Sequence, residues 1–190
     1  PDLVAPGNKL VGAAATGKDA KIGNWNFLSV NYAPLVAGFG GTSQTYKSSL
    51  MQLSGTSIAA PAVAGTVALM LQANPGLTPP LIKAILQYSA QPLPGANLLQ
   101  QGAGLLNVDG AVKLAQALRT DIKTAVEAGS MAAGANLLAA GKTLPAPSTS
   151  IAGQSFNWSR MVYAGGNQVL SGAALFSKYQ PFYDHRLMWA

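Results

Sequence analysis

Apolar side chains dominate one long stretch of the chain, from Ile58 to Leu71. They fall on every side of a helical projection rather than along one stripe, and many are alanines, which allow close backbone contact. The pattern predicts a helix over residues 57–73 that is buried nearly all round. The sequence Asn74-Pro75-Gly76, which follows directly, is typical of a helix end.

Two more helices are predicted further along the chain. Apolar residues recur at helical spacing between residues 81 and 86, so we expect a helix that runs to about Ser89. Thr78 is expected to be its N-cap, with Pro79 in its first turn. A turn then leads to a helix that is expected to begin near Asp109, with Asp109 as its N-cap.

The first part of the chain, residues 1–120, contains these helices and reads as one globular region. It opens with a short strand that ends in a turn at Pro6-Gly7. Residues 8–54 are rich in Gly, Ser and Asn and alternate only weakly, as in residues 27–32. We expect short strands and loops there.

The composition changes after residue 120, and we divide the remainder into three segments. Residues 121–143 are Ala-rich and are predicted to be a helical extension interrupted by glycines. Residues 144–153 are rich in Pro, Ser, Thr and Ala, which indicates a linker. Residues 154–190 form an aromatic-rich tail of short β-like pieces, which either packs on the preceding region or binds a partner.

The overall composition indicates a folded protein, because 49% of the residues are hydrophobic and only 9% are charged. The net charge of +6 comes from a shortage of acids, and the basic residues are scattered, so we expect no nucleic-acid partner. The chain has no cysteine, which excludes disulfides, thiolate zinc sites and a cysteine nucleophile.

The ends and the apolar stretch bear on the membrane and on secretion. The stretch from Ile58 to Leu71 is shorter than the roughly 20 residues that span a bilayer, so we expect no membrane span. No signal peptide is visible. Because the chain opens at Pro1 without a methionine, we expect it to be part of a longer protein.

Ser57 is the candidate with the clearest chemistry. It lies in Gly55-Thr56-Ser57-Ile58-Ala59-Ala60-Pro61, where a glycine-containing turn enters the first predicted helix. Such a turn exposes the hydroxyl, and the free N–H groups at the helix start attract the negative charge that develops in acyl transfer. From position alone, the interpretation of Ser57 as an ordinary N-cap is the favoured one.

The surrounding sequence favours the catalytic interpretation. Residues 55–65 resemble the nucleophile motif of subtilisin-like serine peptidases, Gly-Thr-Ser-x-Ala-x-Pro-x-Val-Ala-Gly, with Ser57 at the serine of the motif. Residues 1–7, Pro-Asp-Leu-Val-Ala-Pro-Gly, resemble the segment that precedes the nucleophile in that family. Residues 102–108 resemble the family's Gly-x-Gly-x-x-Asn-Val element. The resemblance covers residues 1 to about 118, and it identifies the chain as the C-terminal portion of a subtilase catalytic domain with an extension.

The resemblance carries several expectations. It implies an α/β fold, part of a three-layer α/β/α sandwich around a mainly parallel sheet, and a secreted endopeptidase that acts on proteins or peptides. Ser57 would be the nucleophile and its backbone N–H an oxyanion donor; the Thr56 hydroxyl would either support the oxyanion or only bond within the turn. Family members bind calcium, but no ligand set, metal site or other cofactor can be assigned here. Ile58 stands where relatives often have an oxidisable Met, which predicts better tolerance of peroxide.

The remaining catalytic groups are not evident in this sequence. The family's triad Asp and His and its oxyanion Asn precede the nucleophile, so we expect them upstream of Pro1 and expect the isolated chain to be inactive. His185, the only histidine, is interpreted as part of a polar turn. None of the five aspartates substitutes for the missing acid: Asp2 reads as a strand-end residue, Asp19 as a loop residue and Asp109 as a cap, and Asp121 and Asp184 lie outside the resemblance. The alternatives are a non-catalytic binding or structural module, and a subunit that complements an N-terminal half in trans.

Overall fold

The computed structural model describes residues 1–14, 18–19, 23–24, 31–32, 35, 50–164 and 168–187. Two compact units divide the chain. One is Pro6–Pro61, and the other comprises Pro1–Ala5 together with Ala62–Ala190. Most of the expected weak alternation at residues 27–32 lies outside the described residues.

The helices of the described residues follow one another through the middle of the chain and recur near its end. They are α1 (Thr56–Ala73), α2 (Pro79–Ser89), α3 (Leu98–Gln101), α4 (Val108–Ala117), α5 (Ile122–Glu127) and α6 (Ala174–Ser177), followed by a 3-10 helix at Pro181–Tyr183. The predicted starts and ends of α1 and α2 are confirmed to within a residue.

The described strands pair in twos, and each of the four pairs is antiparallel. They are β1 (Leu10–Ala13) with β4 (Leu50–Leu53), β2 (Lys18–Asp19) with β3 (Gly23–Asn24), β5 (Ser148–Ile151) with β6 (Gln154–Asn157), and β7 (Met161–Ala164) with β8 (Gln168–Ser171). The sequence predicted a loop at Asp19. In the structure Asp19 lies on the short strand β2 instead. Parallel pairing is found in the described chain only at the single bridge between Val4 and Leu105.

Helix α1 has the predicted length but not the predicted burial. Only Thr66 and Met70 of its 18 residues are buried, and Leu69 and Leu71 are exposed. The periodicity is correctly helical, so the difference concerns what covers the helix and not its conformation. By length and composition α1 would be able to cross a membrane, but core helices of soluble proteins meet the same criterion. The absence of a membrane span stays a prediction.

The core of the larger unit lies around α2. Nine of the eleven α2 residues are buried, among them Leu81, Ile85 and Tyr88. They pack with Leu114 and other residues of α4 and with aromatic side chains from the end of the chain, including Phe176. Burial of apolar area on this scale is the main stabilising contribution to such a unit.

The caps of α2 and α4 differ from the predictions in chemistry. Thr78 precedes α2 as expected, but its hydroxyl makes no capping bond and donates to the Tyr183 carbonyl at 2.7 Å. The N-cap of α4 is Asn107 and not Asp109; the Asn107 side chain accepts from the Gly110 N–H at 3.1 Å. Asp109 lies in the first turn, where it pairs with Lys113 four residues later.

The segments after residue 120 also depart from the simplest expectation. Within 121–143, helix α5 covers only Ile122–Glu127, and turns at Gly129 and Gly134 follow, both with positive φ. The segment interpreted as a linker, 144–153, contains strand β5. The β-like pieces of the tail are present as β6, β7 and β8. The proposed domain boundaries at residues 120, 143 and 153 stay a prediction.

Candidate active site

The turn before α1 is held by close contact between two glycines of the smaller unit. The Gly55 N–H donates to the Gly7 carbonyl at 2.8 Å. A Cβ on Gly7 would lie 2.7 Å from the Gly55 carbonyl oxygen and 2.9 Å from the Ala59 Cβ, so a side chain at position 7 would push the turn away. Gly55 has φ +146°, a conformation that favours glycine.

Side-chain bonds fasten the same turn to the end of the β1–β4 pair. The Lys9 N–H donates to Ser54 Oγ at 2.8 Å, and the Ser54 hydroxyl donates to Asn8 Oδ1 at 3.0 Å. The register places Leu10 opposite Leu53, so β1 begins and β4 ends beside the turn. The ladder therefore fixes where the chain enters α1.

Ser57 is the second residue of α1, and both Thr56 and Ser57 are exposed. The N–H groups of Ile58 and Ala59 both donate to the Gly55 carbonyl at 3.1 Å. The backbone N–H of Ser57 has no acceptor among the other described residues. No acidic side chain lies in the first turn of α1, so the partial positive charge at the helix start is not neutralised locally.

Pro61 is the sixth residue of α1 and therefore lies beyond its first turn. In a regular helix the N–H of residue 61 would donate to the carbonyl of residue 57, and proline has no N–H. The Ser57 carbonyl therefore lacks its usual partner in the helix. Together these features give an exposed serine at the start of a helix, with a backbone N–H that has no acceptor among the described residues.

Comparison with known proteins assigns this arrangement to a family. Residues 1–111 match the model of the subtilase family, which is more than half of the chain. The chain belongs to the subtilase family. A curated relative, an extracellular protease from Xanthomonas campestris pv. campestris, is 36% identical over 115 aligned residues.

The alignment covers very different shares of the two proteins. The alignment includes 57% of this chain but only 20% of the relative, so the chain spans about a fifth of that protein's length. At the level of the family, the match supports a serine peptidase with an α/β fold. The matched region contains the Gly7–Gly55 turn and Ser57, and it ends at Ala111.

Four aspartates of this subtilase chain have partners among the described residues. Asp2, predicted to be a strand-end residue, accepts from Gln87 Nε2 at 2.9 Å and pairs with Lys83 at 3.1 Å. Hydrogen bonds from Arg186 lower the pKa of Asp184 to about 2. The further pairs are Asp109 with Lys113 and Asp121 with Arg119.

His185 lies beside α5. Its Nε2 is 3.8 Å from Glu127 Oε1, and its Nδ1 is buried without a hydrogen-bond partner among the described residues. Groups of three or more His, Asp or Glu side chains that would hold a metal ion are not found in the described part of the chain. The lack of an assignable calcium site stays a prediction.

Sequence reasoning predicts Ser57 as a site residue, and that stays a prediction, but it missed the contacts that position this residue. The contact role of Gly7 was hidden because Pro6-Gly7 was interpreted as a simple turn. Ser54 carried no signal, since a single serine in a loop is common. The pairing of residues 10–13 with residues 50–53, which joins positions 37 to 43 residues apart, is a long-range contact that local patterns do not reveal.

Proposed function

We propose that this chain carries the nucleophile of a secreted serine endopeptidase, and that Ser57 is that nucleophile. One observation carries the proposal: an exposed serine, whose N–H has no acceptor among the described residues, stands at the start of α1 on a turn fixed by the Gly7–Gly55 bond. This is the arrangement that acyl transfer requires, because attacking oxygen and oxyanion donor belong to one rigid element.

The chemistry follows from these groups. Ser57 Oγ attacks the carbonyl carbon of a peptide bond while its proton passes to a histidine base, and the carbonyl oxygen becomes an oxyanion that accepts from the Ser57 N–H. The C–N bond then breaks, and the leaving amine takes the proton from the imidazolium. Water then attacks the carbonyl carbon of the acyl-enzyme while the histidine takes its proton. The bond to Ser57 Oγ breaks, and Oγ receives the proton from the imidazolium. Thr56 either supports the oxyanion or holds the turn.

The base, the acid that orients it and a second oxyanion donor come, in this proposal, from residues N-terminal to Pro1 in the full-length protein. The exposure of α1 supports this, since 11% of this apolar helix is buried and it has room to be covered. We further propose that the segment around Val4, which bridges Leu105 in parallel, belongs to a mainly parallel sheet in an α/β/α sandwich. Secretion is proposed because the Xanthomonas relative is an extracellular protease.

The proposal is tested with the full-length protein and a mixture of unstructured peptides as substrate. Ser57→Ala is expected to lower kcat/KM by on the order of a thousand-fold or more, because no acyl-enzyme forms without the Oγ. Ser150→Ala, an exposed serine on β5, serves as the matched control and should leave the rate unchanged.

Other results would favour the alternatives. A full-length protein that cleaves no peptide under any condition would make the chain a non-catalytic module. Hydrolysis that appears only when a separately encoded N-terminal polypeptide is added to this chain would make it a subunit that acts in trans. Full activity of Ser57→Ala would contradict the assignment of the nucleophile.

A further inference from the structure

The end of the chain, residues 148–187, lies outside the region matched by the subtilase family and contributes much of the core of the larger unit. The Tyr88 ring on α2 meets the Trp158 ring edge-on, with centroids 6.2 Å apart, and the Phe176 ring with centroids 4.7 Å apart. Trp158 is 3% exposed and Phe176 is fully buried. Aromatic pairs of this kind stabilise beyond their buried area.

Helix α2 needs this second partner because it is apolar on more than one face. Helix α4 packs against α2 through residues such as Leu114, and β7 and the 3-10 helix also contact α2, of which nine of eleven residues are buried. If residues 148–187 were removed, Tyr88 and its buried neighbours would face water. A helix buried on two faces is typical of an interior element.

Buried polar side chains connect the same surfaces, and they have directional requirements that apolar contact lacks. Thr149, 2% exposed on β5, accepts from Asn107 Nδ2 at 3.0 Å and from Trp158 Nε1 at 2.9 Å. On β7, the Tyr163 N–H donates to Gln87 Oε1 at 2.9 Å. Loss of any of these acceptors would leave a buried donor unsatisfied, which is costly.

The tail also satisfies the end of α2. The last carbonyls of a helix have no partner within it. The Arg160 N–H donates to the Tyr88 carbonyl at 2.9 Å, and the Ser159 N–H donates to the Ala90 carbonyl at 2.7 Å. The Ser89 carbonyl between them accepts from Asn107 Nδ2 at 2.9 Å. The tail backbone thus acts as the C-terminal cap of α2.

We infer that residues 148–187 are an obligatory internal partner of α2 and α4, and that they fill an interaction surface which the family-matched region cannot leave bare. The folded unit therefore extends past residue 111 to about residue 187. The tail is accordingly neither a detachable appendage nor a free binding module. This inference rests on contacts within the larger unit and is independent of the role of Ser57.

The first test separates the tail covalently without removing it. A site for a sequence-specific protease is inserted after Lys142, which is exposed, and the folded full chain is cleaved there. The piece that begins at residue 143 is expected to remain with the rest through size-exclusion chromatography and to separate only in denaturant. A tail that elutes alone under native conditions would overturn the inference.

The second test reads the coupling without cleavage. Thr149→Val keeps the side-chain shape but removes the acceptor of Asn107 and Trp158, and it should raise the unfolding equilibrium constant by about tenfold or more. Hydrogen exchange of the α2 amides should speed up by the same factor. Ser150→Ala, the exposed neighbour on β5, is the control. Faster exchange confined to the tail, with α2 unchanged, would show two independent parts and refute the proposal.

Discussion

At the scale of single residues, the turn before α1 depends on the absence of a side chain at Gly7. Gly7 and Gly55 approach so closely that a methyl group at position 7 overlaps both the Gly55 carbonyl and Ala59. This turn leads directly into α1, whose second residue is Ser57. The geometry of the candidate site therefore depends partly on the absence of a Cβ atom at position 7.

Gly7→Ala is expected to destabilise the fold by about 1–3 kcal/mol, because overpacking forces the backbone apart. It should also lower peptide hydrolysis by the full-length protein, since Ser57 moves with the turn. The matched control is Gly12→Ala on β1, where an added Cβ meets nothing within 4 Å. Thermal unfolding and kcat/KM are measured for both; equal behaviour of the two variants would contradict the packing argument.

A second residue-scale prediction concerns the ion pair at the end of the chain. Arg186 Nη2 lies 2.7 Å from Asp184 Oδ2, and this contact lowers the pKa of Asp184 to about 2 from an ordinary value of 3.8. A carboxyl whose pKa falls on folding stabilises the fold above its unfolded pKa, and the contribution is lost as the pH falls from about 4 to about 2.

Arg186→Gln should therefore unfold at lower urea than the parent at pH 6, and the difference between the two midpoints should shrink steadily as the pH falls from about 4 to about 2. Lys142→Gln, which removes an exposed positive charge that has no ion pair among the described residues, controls for net charge. A midpoint difference that stays constant over this range would argue against the pair.

At the scale of elements, Asn107 links a helix start to two other segments. Its Oδ1 caps α4 through the Gly110 N–H, and its Nδ2 donates to Ser89 and Thr149. Asn97 caps α3 with the same chemistry, but it is exposed. The two asparagines allow capping to be separated from burial.

Asn107→Ala is expected to lower the free energy of unfolding by about 2–4 kcal/mol, because it removes a cap and leaves the buried Ser89 carbonyl and Thr149 hydroxyl without this donor. Asn97→Ala should cost only about 0.5–1 kcal/mol. Chemical denaturation of both variants gives the comparison. Similar losses for the two would mean that the buried bonds of Asn107 contribute little.

The elements also show what sequence patterns can and cannot predict. The bounds of α1 and α2 followed from apolar spacing and from Asn74 and Thr78, since these signals are local. The sequence predicted Asp109 as the N-cap of α4, because Asp and Asn are both common capping residues. Only the partners of Asn107 in distant segments favour Asn107 as the cap, and these are not visible in the local sequence. The prediction that α1 is buried was wrong, because the apolar pattern shows which surface of a helix is apolar and not which other residues cover it.

At the scale of the whole molecule, the family was predictable from three short motifs, and the match over residues 1–111 confirms it. The way the tail packs was not predictable in detail. Its contacts join Trp158 and Phe176 to Tyr88 across long stretches of chain, and the Pro- and Ser-rich stretch before them read as a linker. Composition describes a segment's local freedom and carries no information on its distant partners.

The central claim is that Ser57 is a catalytic nucleophile, and covalent labelling tests it most directly. The full-length protein is treated with a fluorophosphonate, which phosphonylates activated serines, and the modified peptide is located by mass spectrometry. We expect one adduct per molecule, on Ser57, with parallel loss of peptide hydrolysis. An adduct on another serine, or full hydrolysis with Ser57 unmodified, would contradict the account.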